Sequence, residues 1–333
     1  MISKSEILSI LVQLGDSFNK SNEHLNGVIH KTYFENNWLT AESYWQAINH
    51  WKSLLTLEKL EVFSAPYAFT LVPKKIGLIM AGNIPMVGFH DLLCTLLSGH
   101  IAVVKPSSDD KYVMLYIIDF LVKNGLVDRI NIVERLDSID AVIATGSNNS
   151  FRYFQYYFKH IPHLLRKNRK SIAILNGSES NEDLENLAHD VFRHYGLGCR
   201  NVSFIYLPKS MDITRVLDHF MTYKELANHN KYANNYTYHR AILLMNGEQH
   251  LDTGFVLPKE RLDIHAPLAC IHYSYYNSEV EINDFIDKNT DELQCVVGNY
   301  SHPRIVPFGK SQNPDIQDFA DNMNTLKFLE NVI

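Results

Sequence analysis

The sequence predicts an α/β protein with two doubly wound parallel-sheet domains and a helical N-terminal region. Three observations carry this. Short apolar runs without polar alternation, such as "KIGLIMAG", "AVIATGS" and "NVSFIYLP", have the composition of strands buried on both faces. Segments of helix length separate them, which is the strand–helix–strand rhythm of a parallel sheet. The rhythm lapses at the basic stretch "LLRKNRKS" and then restarts, so the 333 residues divide in two, as a prior of about 150 residues per domain suggests.

Residues 1–60 read as helices. "SKSE" is a capping box, with Ser3 as N-cap and Glu6 reaching back. "TAESYWQAINHWKSLL" sets Tyr44, Ile48, Trp51 and Leu55 on one face behind a Thr40 cap. "EVFSAPYAFTLVP" reads as extended, with a turn at Ala65-Pro66. Residues 61–170 form the first α/β domain. "KIGLIMAG" is a strand, "PMVGFHDLLCTLLSG" a helix stopped by Gly99, and "HIAVVKPSS" a strand. "DKYVMLYIIDFLVKNG" is a helix stopped by Gly125, "RINIVE" and "AVIATGS" are strands, and "NSFRYFQYYFKHI" is a helix. Residues 171–310 form the second. "SIAILNG" is a strand, "NEDLENLAHDVFRHYG" a helix, "NVSFIYLP" a strand and "ITRVLDHFMTYKELANH" a helix, while "RAILLMNG" and "APLACIHYSYY" are strands. Residues 311–333 are a C-terminal return segment.

The composition is 46% hydrophobic and 20% charged, with a formal net charge of −6 and no long basic run, so no nucleic-acid partner is expected. No run approaches the ~18 apolar residues of a membrane span, and "MISKSEILSI" lacks the pattern of a secretory leader. Cys94, Cys199, Cys270 and Cys295 form no C-x-x-C pair, so neither zinc nor a disulfide framework is indicated and a cytoplasmic setting is expected. Cys94, Cys270 and Cys295 lie inside apolar runs and read as small buried hydrophobes. Cys199 differs. In "HYGLGCRNVSFIYLP" it follows a Gly-x-Gly turn and precedes a buried strand, a setting that suits a nucleophile.

Other segments have two readings each. Asn83 in "AGNIPMVGF" either caps the following helix, with Pro85 at its first position, or donates its amide to an oxyanion. Lys105 ends a buried strand, where it is either solvated or at the ligand edge of the sheet. The turn Thr145-Gly146-Ser147 before a helix can hold a phosphate, a weak signal alone. Arg200 either tunes Cys199 or forms an ion pair. Arg166, Lys167, Arg169 and Lys170 read as a solvated linker rather than a phosphate site. "NHNKYANNYTYHR" either lines a substrate entrance or is a polar helix and loop. His90 and His229 are candidate proton donors.

Taken in order, Asn83-Ile84-Pro85, Lys105-Pro106-Ser107, Thr145-Gly146-Ser147, Gly196-Leu197-Gly198-Cys199 and Pro307-Phe308-Gly309 resemble the motif series of the aldehyde dehydrogenase superfamily. "AGNIPMVGFHDLL", "TGSNNS", "RKNRKSIAILNG" and "GLGCRNVS" resemble more narrowly its acyl-CoA reductase family, which includes the fatty acyl reductases of bioluminescence. The resemblance implies an aldehyde dehydrogenase-like fold, with Cys199 as nucleophile and Asn83 as oxyanion donor. It places a cofactor on Lys105, Ser107, Ser108, Thr145, Gly146 and Ser147. The implied activity is NADPH-dependent reduction of an acyl-CoA thioester to an aldehyde, with CoA or an acyl-transferring partner enzyme as donor.

Departures from the superfamily pattern refine this. The water-activating Glu of oxidising members is replaced by Ile174 in "AILNGSE", with Glu179 and Glu182 out of register. Ser108 stands where NAD-preferring members carry a ribose-binding Glu. This favours NADPH, with NADH the alternative and Asp109 next door weighing against the argument. The second glycine of the pyrophosphate turn is absent, Phe151 lying near its place, and "DIHAPLACI" stands where a nicotinamide-ribose motif is expected. The alternatives are an acylating aldehyde dehydrogenase working oxidatively and a non-catalytic subunit of an acyl-processing complex. A homo-oligomer built through a β arm is implied, although "NTLKFLENVI" offers no obvious completing strand.

Overall fold

The computed structural model describes residues 2–302 and 305–332, and the chain divides into two compact units, Met1–Asn168 with Asp315–Ile333, and Arg169–Pro314.

In the first unit, four helices precede the sheet: α1 (Lys4–Ser17), α2 (Glu23–Glu35), α3 (Ala41–Leu54) and α4 (Leu57–Ser64). The Ser3–Glu6 capping box starts α1, and the Thr40 hydroxyl caps α3. Their apolar stripes share one core with the sheet, in which Leu11, Leu14, Tyr44 and Ile48 pack with Ile76, Leu78 and Leu93. The extended reading of residues 61–64 fails, because α4 runs to Ser64. Behind the Thr56 cap, Leu60, Phe63 and Ser64 are buried at helical spacing.

The sheet follows as β1 (Lys75–Ile79), α5 (Phe89–Leu97), β2 (Ile101–Lys105), α6 (Lys111–Leu121), β3 (Ile130–Ile132), β4 (Ala141–Thr145), α7 (Asn148–Phe158) and β5 (His163–Arg166). Gly99 and Gly125, at φ 86° and 118°, end α5 and the turn beyond α6. All strands are parallel, in the order β3-β2-β1-β4-β5. The chain leaves β1 towards β2 on one side and later returns to β4 on the other. The topological switch point, where doubly wound sheets take ligands, therefore lies at the carboxyl ends of β1 and β4. The helix Thr325–Glu330 also belongs to this unit; Leu326 and Leu329 are in its core. "NTLKFLENVI" is thus helical over Thr325–Glu330 and supplies no strand there.

The second unit contains β6 (Lys170–Ile174), α8 (Asn181–Phe192), β7 (Val202–Pro208), α9 (Ile213–Phe220), α10 (Asn230–Met245), β8 (Leu257–Glu260), β9 (Cys270–Tyr276), α11 (Glu279–Lys288), β10 (Leu293–Gly298) and β11 (Ile305–Val306). Its parallel sheet has the order β11-β10-β6-β7-β9-β8. "RAILLMNG" is not a strand. It forms the end of α10, whose helix meets no breaker before Gly247 at φ 64°. Only Tyr232 and Leu243 of α10 are buried, so neither a strand period nor a strong helical stripe marks it.

Candidate active site

The loop that carries Cys199, the candidate nucleophile, belongs to the second unit. After α8 the chain passes through three left-handed residues, His194, Tyr195 and Gly196, at φ 50°, 59° and 77°. Gly196 accepts this without strain. For His194 and Tyr195 it costs about 1 kcal/mol each, so the surroundings must hold it. The Tyr195 ring packs on His229 with centroids 4.4 Å apart. Buried Asn201 is the main brace. Its amide nitrogen donates to the carbonyls of Asp190, Val191 and Arg193, at 3.2, 3.1 and 2.8 Å, at the end of α8 and its C-cap. Its side-chain oxygen accepts from the Gly198 N–H at 2.8 Å. The Asn201 N–H donates to the Gly198 carbonyl at 3.1 Å, leaving Cys199 and Arg200 at the corner of a closed turn.

Two residues of β6 reach this turn. The Ser171 hydroxyl donates to the Cys199 carbonyl at 3.0 Å. Lys170 is partly buried, and burial lowers its pKa while the Cys199 charge acts in the opposite direction, so the ammonium and the thiol interact. Cys199 itself is half-buried. Burial holds the His194 imidazole at about 4, so it is neutral at pH 7. Cys199 precedes β7 and therefore lies at the amino edge of its sheet, opposite the edge that doubly wound topology alone would favour.

The Pro307-Phe308-Gly309 motif is anchored on α8. Asp190 accepts from the Gly309 N–H at 2.6 Å, the Ser311 N–H at 3.0 Å and the Ser311 hydroxyl at 2.7 Å. Burial raises the Asp190 pKa against these bonds. Gly309 has φ 78°, and a Cβ there would lie 2.8 Å from the Asn186 side-chain oxygen. One helix thus fixes this motif and, through Asn201, the cysteine turn. No carboxylate occurs in residues 163–178, which include both β5 and β6. Ile174 is buried in β6. Glu179 is buried as well, and accepts from the N–H groups of Asn176 and Gly177 at 2.6 and 3.0 Å, which commits it to the turn after β6. Glu182 is exposed in the first turn of α8.

In the first unit, the six candidate cofactor residues lie at or just after the ends of β2 and β4, the two strands that flank β1. Lys105 is exposed at the end of β2, in register with Ile79. The Ser107 hydroxyl accepts from the Asp109 N–H at 3.2 Å, and Ser108 is exposed. Thr145 ends β4, and the Ser147 hydroxyl caps α7. A Cβ on Gly146 would lie 2.8 Å from the Ser150 Cβ, so this glycine permits α7 to pack closely. Phe151 is part of the apolar cluster around Val142 and Ala144.

Asn83 is exposed in the loop between β1 and α5. It does not cap α5, whose N-cap position is Gly88, and Pro85 lies in a turn rather than at the first helical position. The loop turns instead at buried Met86, a left-handed residue with φ 57°. The Met86 N–H donates to Asp110 at 2.7 Å, and the Tyr44 hydroxyl donates to the other Asp110 oxygen at 2.5 Å. Burial raises the Asp110 pKa to about 7 in spite of these donors. The folded chain then binds a proton here that the unfolded chain releases near 3.8. This contribution to stability is full below 3.8 and is lost as pH rises towards 7. Thermal midpoints recorded from pH 4 to 8 should show this decline, and Asp110→Asn should flatten it.

Other sequence expectations are corrected by their surroundings. His90 bonds the Ile316 carbonyl at 2.8 Å among the rings of Trp51, Phe63 and Phe319, and His229 caps α10. Both have structural employment. The basic stretch is not a solvated linker: Arg166 is buried in a bidentate pair with Asp91, and Arg169 is buried with its guanidinium on the Leu293 carbonyl at 3.0 Å. Among the described residues no group of His, Cys, Asp and Glu could hold a metal, and no helix is long and apolar enough to cross a membrane. Asn201, Ser171, Lys170 and Asp110 were not legible as site residues. Only the Asn two places after the cysteine gave a local hint.

The family model described as acyl-CoA reductase (LuxC) matches residues 65–229. No curated protein matches the sequence. Among solved structures, an indole-3-acetaldehyde dehydrogenase of P. syringae superposes with a TM-score of 0.68 at 11% identity, over 91% of this chain and 73% of that one. The aldehyde dehydrogenase of Bacillus cereus, solved as an NAD+ complex, gives 0.65 at 14% identity over the same shares. The fold is that of the aldehyde dehydrogenases.

Proposed function

We propose, from the match of residues 65–229 to the family model described as acyl-CoA reductase (LuxC), that the chain reduces an acyl-CoA thioester to an aldehyde with NADPH, through a thioacyl intermediate on Cys199. The observation that carries the reading is Cys199 at the corner of an Asn201-braced turn beside Lys170, with no carboxylate in residues 163–178.

The Lys170 ammonium favours the Cys199 thiolate, which attacks the thioester carbonyl. Backbone N–H groups of the turn and the Asn83 amide are the candidate oxyanion donors, each worth about 3 kcal/mol. The tetrahedral adduct expels CoA as a thiolate and leaves acyl-Cys199. A nicotinamide cofactor, held by the residues named below, would supply the hydride. The resulting thiohemiacetal oxyanion reforms a carbonyl, the C–S bond breaks, and Cys199 returns as thiolate. With no carboxylate in residues 163–178 to activate water, the thioester is kept for reduction rather than hydrolysis.

Lys105, Ser107, Ser108, Thr145, Gly146 and Ser147 are the residues proposed to hold the dinucleotide. They fit one in the position of Lys105 and Ser108, both exposed at a carboxyl edge, with no acid between them. Ser108 can donate to a 2′-phosphate, which a carboxylate would repel. Ser108→Glu should therefore raise KM for NADPH about 10-fold and leave KM for NADH little changed. A lower wild-type KM for NADH than for NADPH would overturn this assignment.

The function itself is tested by following NADPH absorbance with acyl-CoAs of graded chain length and trapping the aldehyde. Turnover with aldehyde, CoA and NADP+ alone would assign the oxidative direction. No turnover with any thioester or aldehyde would leave a non-catalytic subunit.

A further inference from the structure

We propose that Asp110 is a positioning residue: held between the Tyr44 hydroxyl and the Met86 N–H, it fixes the loop that presents Asn83. The inference rests on the reading of Asn83 as oxyanion donor.

Asp110 stands at the N-cap position of α6, where an Asp ordinarily accepts from the helix. It makes no such bond. Both its oxygens face away from α6, one to Tyr44 of α3 and one to Met86. All three residues are buried. Met86 takes a backbone conformation that a side-chain-bearing residue adopts only when held there, and the Asp110 side chain holds its N–H at 2.7 Å.

The other side of Asn83 is fixed by shape. A Cβ on Gly82 would lie 2.3 Å from the Ser107 hydroxyl and 2.9 Å from the Asp110 nitrogen, so the two loops interlock there. Asn83 is thus bracketed, with Gly82 before it and Met86 three places after it both attached to residues 107–110. Its side chain is exposed on a backbone that has little freedom. Tyr44 extends the clamp into the N-terminal helices, which gives those helices a part in the chemistry.

The test is single-turnover release of CoA thiol on mixing the protein with acyl-CoA and no nucleotide, which reads acylation of Cys199 alone. Asn83→Ala should slow it about 100-fold. Asp110→Ala should slow it about 10- to 100-fold through the displaced loop, and Tyr44→Phe about 5-fold. Asp110→Asn should stay within about 3-fold of wild type, because its oxygen can accept from Met86 while its NH₂ donates to the Tyr44 oxygen. In the Asn83→Ala background, Asp110→Ala should add nothing, since a positioning residue has nothing left to position.

Acylation at the wild-type rate in folded Asp110→Ala, or losses that multiply in the double variant, would overturn the clamp. If Asp110→Ala does not fold, Tyr44→Phe decides by the same criteria, alone and in the Asn83→Ala background. Wild-type acylation in Asn83→Ala would remove the reading of Asn83 and the clamp with it. A wild-type chain that never releases CoA would instead remove the proposed function.

Discussion

Cys199→Ala should abolish thioester turnover, with a fall of at least about 10,000-fold in kcat, because no other group can carry the acyl intermediate. The remaining cysteines are poor substitutes. Cys94 and Cys295 are buried, and burial pushes the Cys270 thiol up to about 12. The fold should survive the change. The Cys199 side chain is half-buried, and the bond to Ser171 is made by its backbone carbonyl, which alanine keeps. Mass spectrometry after incubation with acyl-CoA, without nucleotide, should show one acyl group on wild type and none on the variant. Turnover that persists in Cys199→Ala would sink the covalent mechanism.

The largest expected effect on stability lies in the other unit. Asp91→Ala should lower the unfolding free energy by about 3–5 kcal/mol, the range for breaking a buried ion pair from one side. Arg166 is only 2% exposed. Its Nη1 donates to both Asp91 oxygens at 2.8 and 2.7 Å, and its Nη2 donates to the Thr325 hydroxyl at 2.7 Å. Removal of the carboxylate leaves a buried guanidinium that cannot shed its proton, with the Thr325 hydroxyl and the charge of Asp321 as remaining partners. The pair Asp91→Leu with Arg166→Met should recover much of the loss, since the penalty comes from the orphaned charge. Urea midpoints on wild type and the two variants decide the matter; a loss under about 1 kcal/mol for Asp91→Ala would show the pair to be inert.

This ion pair also marks where sequence reading stops. Continuous apolar runs such as "AVIAT" announce buried parallel strands by themselves, because their period is local. β5 was missed because two leucines beside a string of cations look like a linker until Asp91, 75 residues away, accounts for Arg166. The end of α10 reads as a strand in sequence because its exposed Leu244 and Met245 mimic a buried run. The site divides in the same way. Cys199 and the motif order were visible, since a Gly-x-Gly-Cys string is contiguous. Asn201, Lys170 and Asp110 act through partners distant in sequence or across a strand pair, and their identity alone carries no sign of that work. The expectation that Asn83 caps α5 failed for a related reason: the left-handed turn at Met86 is imposed by Asp110, 24 residues on.

The first unit is assembled from two separated stretches of chain, and this orders events on the ribosome. Leu326 and Leu329 fill its core and Thr325 meets Arg166, yet all three are synthesised after the whole of Arg169–Pro314. The second unit is continuous and has every residue it needs before the first does. The half of the chain that carries Cys199 can therefore mature while the half proposed to bind the dinucleotide still waits, its hydrophobic surface open to chaperones.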